Sequence, residues 1–176
     1  MFIEYRGKTP KVDPSAFVAP TAVLIGDVEV GPESSIWFGT VIRADNGPIR
    51  IGARTSIQDN AVVHVSEHGR TIVGDDVTVG HAAVMEDCAI GNHALIGSNA
   101  VLLNGSTVGE RSLIAAGSVV GEGAAIPAGV VAAGAPAKVK KPLEGEAAQW
   151  IAVAAQEYVK LSRAYLRDAR PIAQTP

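Results

Sequence analysis

Aliphatic residues recur every six positions along most of this chain. The series runs Val18, Leu24, Val30, Ile36, Ile42, resumes at Ile51, Ile57, Val63 and again at Val73, Val79, Met85. It ends as Ile90, Ile96, Leu102, Val108, Ile114, Val120, Ile126. None of these eighteen positions is polar, and Gly follows many of them, as in Val30-Gly31, Ile51-Gly52 and Val73-Gly74. A period of six fits neither a 3.6-residue helix nor a hairpin sheet. It fits a short strand and a corner, with one inward aliphatic side chain per face. Three such units close a triangular coil of about 18 residues, and coils stack at ~4.8 Å. The pattern predicts an all-β solenoid, a parallel β-helix of about six triangular coils within residues 1–138.

The period slips three times. Three extra residues fall around Asn46-Gly47-Pro48 and four around Ser66-Glu67-His68-Gly69-Arg70, and Met85 to Ile90 is one residue short. All three slips lie beside polar residues, which a purely structural solenoid has no need to arrange. Residues 134–142 then break the repeat with two prolines and a basic turn. Beyond them Ile151, Ala154, Tyr158, Leu161 and Tyr165 form one apolar stripe, predicting a C-terminal α-helix over 143–170 that packs on the β-helix and stops at Pro171.

Composition adds exclusions. Net charge is −3, so no basic surface argues for nucleic acid or anionic lipid. No apolar run approaches the roughly 18 residues of a membrane span, and the N-terminus lacks a signal-peptide core, so a cytoplasmic location is expected. The single cysteine, Cys88, is expected to point inward as a small apolar filler.

The ladder also serves as a coordinate system. Ile42, Val63, Met85 and Leu102 share one face in successive coils, so the residues after the first three, Arg43, His64 and Glu86, stack in one column. Ile57 and Val79 share another face, which sets Asp59 one coil below His81, with Gln58 at the same corner. Arg43, Asp45, Gln58, Asp59, His64, His81 and Glu86 thus gather along one edge. His64 and Glu86 are placed to share a metal ion, imidazole and carboxylate both being ordinary zinc ligands. Glu86 is either such a ligand or a carboxylate paired with Arg43. His81 lies on a different face, and the His81 of a neighbouring subunit could complete the site, with Asp59 orienting it. His93 and His68 are expected at the surface.

These residues resemble the γ-class carbonic anhydrases and the ferripyochelin-binding-protein-like proteins. The resemblance spans about 140 residues and includes Gly26-Asp27-Val28, Ser35-Ile36-Trp37-Phe38-Gly39, Arg43-Ala44-Asp45, Ile57-Gln58-Asp59-Asn60 leading into His64, Gly80-His81-Ala82-Ala83 and Gly134-Ala135-Pro136-Ala137-Lys138. It implies a left-handed β-helix and a homotrimer with metal sites between subunits, holding Zn²⁺ or Fe²⁺/Co²⁺. The implied reaction is reversible hydration of CO₂ to bicarbonate by a metal-bound hydroxide. By the same resemblance His64 is a first ligand and His81 the ligand from the adjacent subunit. Arg43 and Asp45 brace the interface, Gln58 orients bicarbonate or the metal-bound water, and Tyr158 aligns with an active-site tyrosine.

Glu86 departs from the pattern, which has a third histidine in a Leu-His-Gly-Cys context where this chain reads Met85-Glu86-Asp87-Cys88. A His₂Glu set still gives three ligands, but the carboxylate's charge weakens the metal's Lewis acidity. Asn46 stands where some active members carry an acid, leaving Glu67 or His68 as candidate proton shuttles. Two other functions fit the repeat: a hexapeptide-repeat acyltransferase using histidine as general base, and a catalytically silent trimeric metal-binding or scaffold protein.

Overall fold

The computed structural model describes residues 1–170. Parallel strands, most of them two or three residues long, stack into a β-solenoid with three inward columns. One column is Val18, Ile36, Ile57, Val79, Ile96, Ile114. The second is Leu24, Ile42, Val63, Met85, Leu102, Val120, and the third Val30, Ile51, Val73, Ile90, Val108, Ile126. These are the eighteen positions of the sequence ladder, and most are fully buried. Removing each such side chain from water contributes about 1.5–3 kcal/mol.

The solenoid is longer than six coils. Val12, six residues before Val18, pairs beneath Val30, and Ala132, six after Ile126, pairs above Ile114, giving about seven turns. Small Ala132 and the isolated Val12 escape a search for aliphatic runs. Glycine after a rung has a steric cause: a Cβ at Gly31 would lie 2.8 Å from the Gly52 carbonyl carbon of the next coil. Inward hydroxyls satisfy carbonyls one coil on, as Ser34 Oγ donates to Gly52 O (2.6 Å) and Thr55 Oγ1 to Gly74 O (2.7 Å).

Two of the slips have visible consequences. Residues 46–48 are absorbed into one long strand, Val41–Ile51, which runs through a corner and pairs with both Val62–His64 and Thr71–Val73. Ser66–Arg70 instead bulges as a loop. Residues 134–142, read as a break, carry the turn and return strand of a hairpin in which Val130–Ala133 pairs antiparallel with Lys138–Pro142.

Helix α1 (Gly145–Asp168) lies across the face formed by Phe17–Val18, Ser35–Ile36, Ser56–Ile57 and Thr78–Val79. Outward Ser35, Ser56 and Thr78 are small enough to let it approach and become buried beneath it. Ile151, Ala154, Ala155, Val159 and Ser162 form its buried side, and Tyr158 and Tyr165 meet Trp37 edge to face, with ring centroids 5.8 and 5.2 Å apart. Leu161 does not join this stripe and is 44% exposed. At ~100° per residue, a three-residue step from Tyr158 swings it off the contact line, and Ser162 takes its place. The helix ends at Asp168, and Pro171 lies outside the described residues. Among those residues no helix is long and apolar enough to cross a membrane.

One corner carries a column of left-handed residues, Glu33, Arg54, Asp76, His93 and Arg111, each three past a rung. Arg54 Nε and Nη2 donate to Asp76 at 2.8 and 2.7 Å, and Arg163 and Gln156 of α1 reach Glu33 and Asp76. The Arg54 hydrogen bond, opposed by partial burial, holds the Asp76 carboxyl below its ordinary range. A folded pKa below the unfolded one means that the pair stabilises the fold above about pH 4 and loses that contribution as pH falls through the folded value. Arg54→Ala is expected to cost about 1 kcal/mol at pH 7 and to flatten the acid limb of stability measured by urea melts. Equal losses at pH 7 and pH 2 would contradict it.

Candidate functional site

Parallel pairing fixes the site's framework. Arg43 lies opposite His64 and His64 opposite Glu86, so the predicted column is formed. His64 Nδ1 is 3.0 Å from Glu86 Oε1, and its Nε2 is 3.2 Å from Asp45 Oδ1. Asp45 is in turn ion-paired with Arg43. Arg43–Asp45–His64–Glu86 is therefore a continuous chain of contacts. The pairing of Glu86 with Arg43 is not formed, because His64 occupies the coil between them and the two are ~10 Å apart along the stack. Burial raises the Asp45 carboxyl, but the Arg43 hydrogen bond and charge, helped by His64, outweigh it and leave Asp45 below its ordinary range.

His64 faces carboxylates on both sides. A neutral imidazole has one N–H, so only one of the two can accept a hydrogen bond from it. The other nitrogen turns its lone pair toward a carboxylate, which sets two metal-donor groups side by side. The donor chemistry also fits: ligands 2.0–2.2 Å from one tetrahedral ion sit roughly 3.3 Å apart, close to the observed His64–Glu86 separation.

His81 stands apart, over half exposed, with Nδ1 donating to Asp59 Oδ2 at 2.8 Å. That bond leaves Nε2 pointing away from Asp59 and open to a ligand. Asp59 also accepts from the Phe38 N–H (3.2 Å). Gln58 is buried, and Tyr158 of α1 lies near it, within reach of the Asp59 charge. Burial pushes the Tyr158 hydroxyl up, the Asp59 charge adds to this, and the Gln58 hydrogen bond opposes it. Within one chain, no group of three or more His, Cys, Asp or Glu among the described residues is arranged to hold a metal. His64 and Glu86 lie together at one corner, and His81 stands with Asp59 at another.

Several comparisons bear on this arrangement. The family described as "Bacterial transferase hexapeptide (six repeats)" matches residues 87–122. Protein YrdA of Escherichia coli is 36% identical over 169 residues, covering 92% of each chain. The structure of a hexapeptide transferase family protein from Anaplasma phagocytophilum superposes with a TM-score of 0.90 at 39% identity, covering 93% of this chain and 97% of that one. Gamma carbonic anhydrase 1, mitochondrial, of Arabidopsis thaliana is 41% identical over 172 residues, covering 94% of this chain. The chain belongs to the γ-carbonic-anhydrase-like family of hexapeptide-repeat proteins. It spans 62% of the length of that Arabidopsis relative.

Within this γ-carbonic-anhydrase-like chain, sequence reasoning missed two supports of the site. Asp45 appeared as a partner of Arg43 only, yet it also touches His64. Asp87 clasps the inserted loop: it accepts from the Ser66 N–H (3.0 Å), the Ser66 hydroxyl and Asn104 Nδ2 (2.8 Å). A side chain at Gly69 would run into the same carboxylate. The signal was present as the one-residue deletion after Met85, which brings Asp87 to the corner above the loop. Glu67 and His68 project from that loop into solvent, 3.7 Å from each other. Cys88 is buried with its thiol pushed up to about 12 by burial, so it is neither nucleophile nor ready ligand.

Proposed function

We propose that the chain is a trimeric, metal-dependent γ-carbonic-anhydrase-like protein that interconverts CO₂ and bicarbonate. The observation that carries this reading is the His64–Glu86 donor pair, 3.0 Å apart, together with a His81 whose free nitrogen has no partner donors among the described residues of its own chain. A second copy supplies what is missing, and the outer surface supports one. Val23, Val41, Val62, Val84, Val101 and Val119 stack in register on the face beside His64, and Val62 and Val84 are 37% exposed. An unbroken valine stripe suits burial against another copy.

In this reading His64, Glu86 and the partner's equivalent of His81 hold Zn²⁺, Fe²⁺ or Co²⁺. The ion supplies Lewis acidity, lowering the pKa of a water and neutralising developing charge. Asp45 and Arg43 hold His64, Asp59 holds His81, and the Gln58 amide with the Tyr158 hydroxyl offers hydrogen bonds to a small oxyanion. Glu67 and His68 stand in solvent, where a proton can be handed to buffer. The location proposed is cytoplasmic, although the Arabidopsis relative is described as mitochondrial.

Metal-loaded protein should scatter light as a trimer and hydrate CO₂ in stopped flow with activity proportional to metal content. A monomer at micromolar concentration would overturn the shared site. Trimeric, metal-replete protein with no hydration would favour the silent scaffold. Acyl transfer from an acyl thioester without dependence on metal would favour the transferase reading suggested by the Anaplasma relative's description.

A further inference from the structure

The corner column of Glu33, Arg54, Asp76, His93 and Arg111 is electrically closed at its lower end and open at its upper end. Glu33 has Arg163, and Arg54 has Asp76. His93 Nδ1 is 4.0 Å from an Asp76 oxygen already engaged by Arg54, and Arg111 has no ion-pair partner among the described residues. The next position of the column is Gly129, where an added Cβ would meet nothing within 4 Å. The Leu143 N–H bonds Gly129 O at 2.8 Å, which brings the start of α1 over this gap.

The result is a cavity of about 250 Å³ lined by His93, Arg111, Leu143, Ala148, Ile151 and Ala152. Its polar lining groups are both basic, and its remaining walls are aliphatic. Ala148 belongs to the first turns of α1, and Glu144 at the cap position makes no side-chain cap bond. The N-terminal end of this 24-residue helix lies in the same region, its positive end offset by the carboxylates of Glu144 and Glu146, so Arg111 and His93 carry the basic character of the cavity. The volume is room for about eight waters, or for an organic anion of comparable size.

We propose that this cavity binds a small carboxylate with a short apolar tail, its oxygens on Arg111 and His93 and its tail between Leu143, Ile151 and Ala152. A guanidinium fork suits a carboxylate's two oxygens. The aliphatic walls distinguish such a ligand from a bare inorganic anion, which gains nothing from them. Bound there, it would join the solenoid corner to the helix that carries Tyr158. The proposal is independent of the metal site, which lies along another edge.

Isothermal titration with butyrate, 1-butanol and sulfate tests it on the full chain and on Arg111→Gln and Ala152→Leu, with circular dichroism to confirm folding. Butyrate should saturate a single site in the millimolar range or below, and 1-butanol should not bind. Arg111→Gln should weaken butyrate at least tenfold, and Ala152→Leu, which fills the cavity from an exposed position, should weaken it similarly. No saturation by about 50 mM butyrate, or unchanged affinity in Arg111→Gln, would overturn the site. Sulfate binding as tight as butyrate, insensitive to Ala152→Leu, would reduce it to a basic patch and overturn the assigned ligand class.

Discussion

His81→Ala is expected to strip the protein of divalent metal while leaving its fold intact. Its side chain is over half exposed and paired with Asp59, so its removal leaves no core cavity. Taking one ligand from a three-ligand site should lower metal affinity by at least two orders of magnitude. Asp59→Asn should cost less, about ten- to a hundredfold, because it loosens the imidazole without removing it. Metal per chain after dialysis, read by elemental analysis beside light scattering and circular dichroism, measures both. Wild-type metal content in His81→Ala would show that this histidine is not a ligand.

Glu86→His should raise CO₂ hydration at neutral pH. Replacing a carboxylate by a neutral imidazole leaves more net positive charge at the ion, so a water there ionises at lower pH, nearer the ~7 typical of carbonic anhydrase zinc than the ~9 of aqueous zinc. Each unit of that shift gives about tenfold more of the ionised form at pH 7. Wild-type hydration is accordingly expected to be weak and displaced to alkaline pH. Glu86 is bonded to His64 and not to Arg43, so the substitution leaves the Arg43–Asp45 pair in place. Glu86→Gln is the useful companion, since it removes the charge at nearly constant size. Stopped-flow rates normalised to metal content over pH 6–9 compare the three proteins. Brisk wild-type hydration at pH 7, or a metal-replete Glu86→His protein with no gain, would show that Glu86 is not the limiting group.

What the order of residues determined by itself is the solenoid, its register and the Arg43–His64–Glu86 column. The reason is that pairing in this fold is strictly periodic. Once three inward faces repeat every coil, the neighbour of any residue one coil away follows by counting, and the insertions shift that count by known amounts. Asp59 beneath His81 was legible for the same reason. Tertiary structure decided what counting does not reach. Side-chain direction gave His64 two carboxylates, sent Arg43 to Asp45 rather than Glu86, and let Asp87 pin a loop whose path no repeat dictates. The dead end at 134–142 became a hairpin because an antiparallel return strand carries no six-residue signal. Packing of α1 on a strip of small residues chose Ser162 over Leu161, since close approach of backbones favours small side chains over large apolar ones. The position of His81 relative to His64 is the sharpest case: one chain presents the two on separate corners, and in the proposed trimer a second copy against the valine face would bring them to one ion.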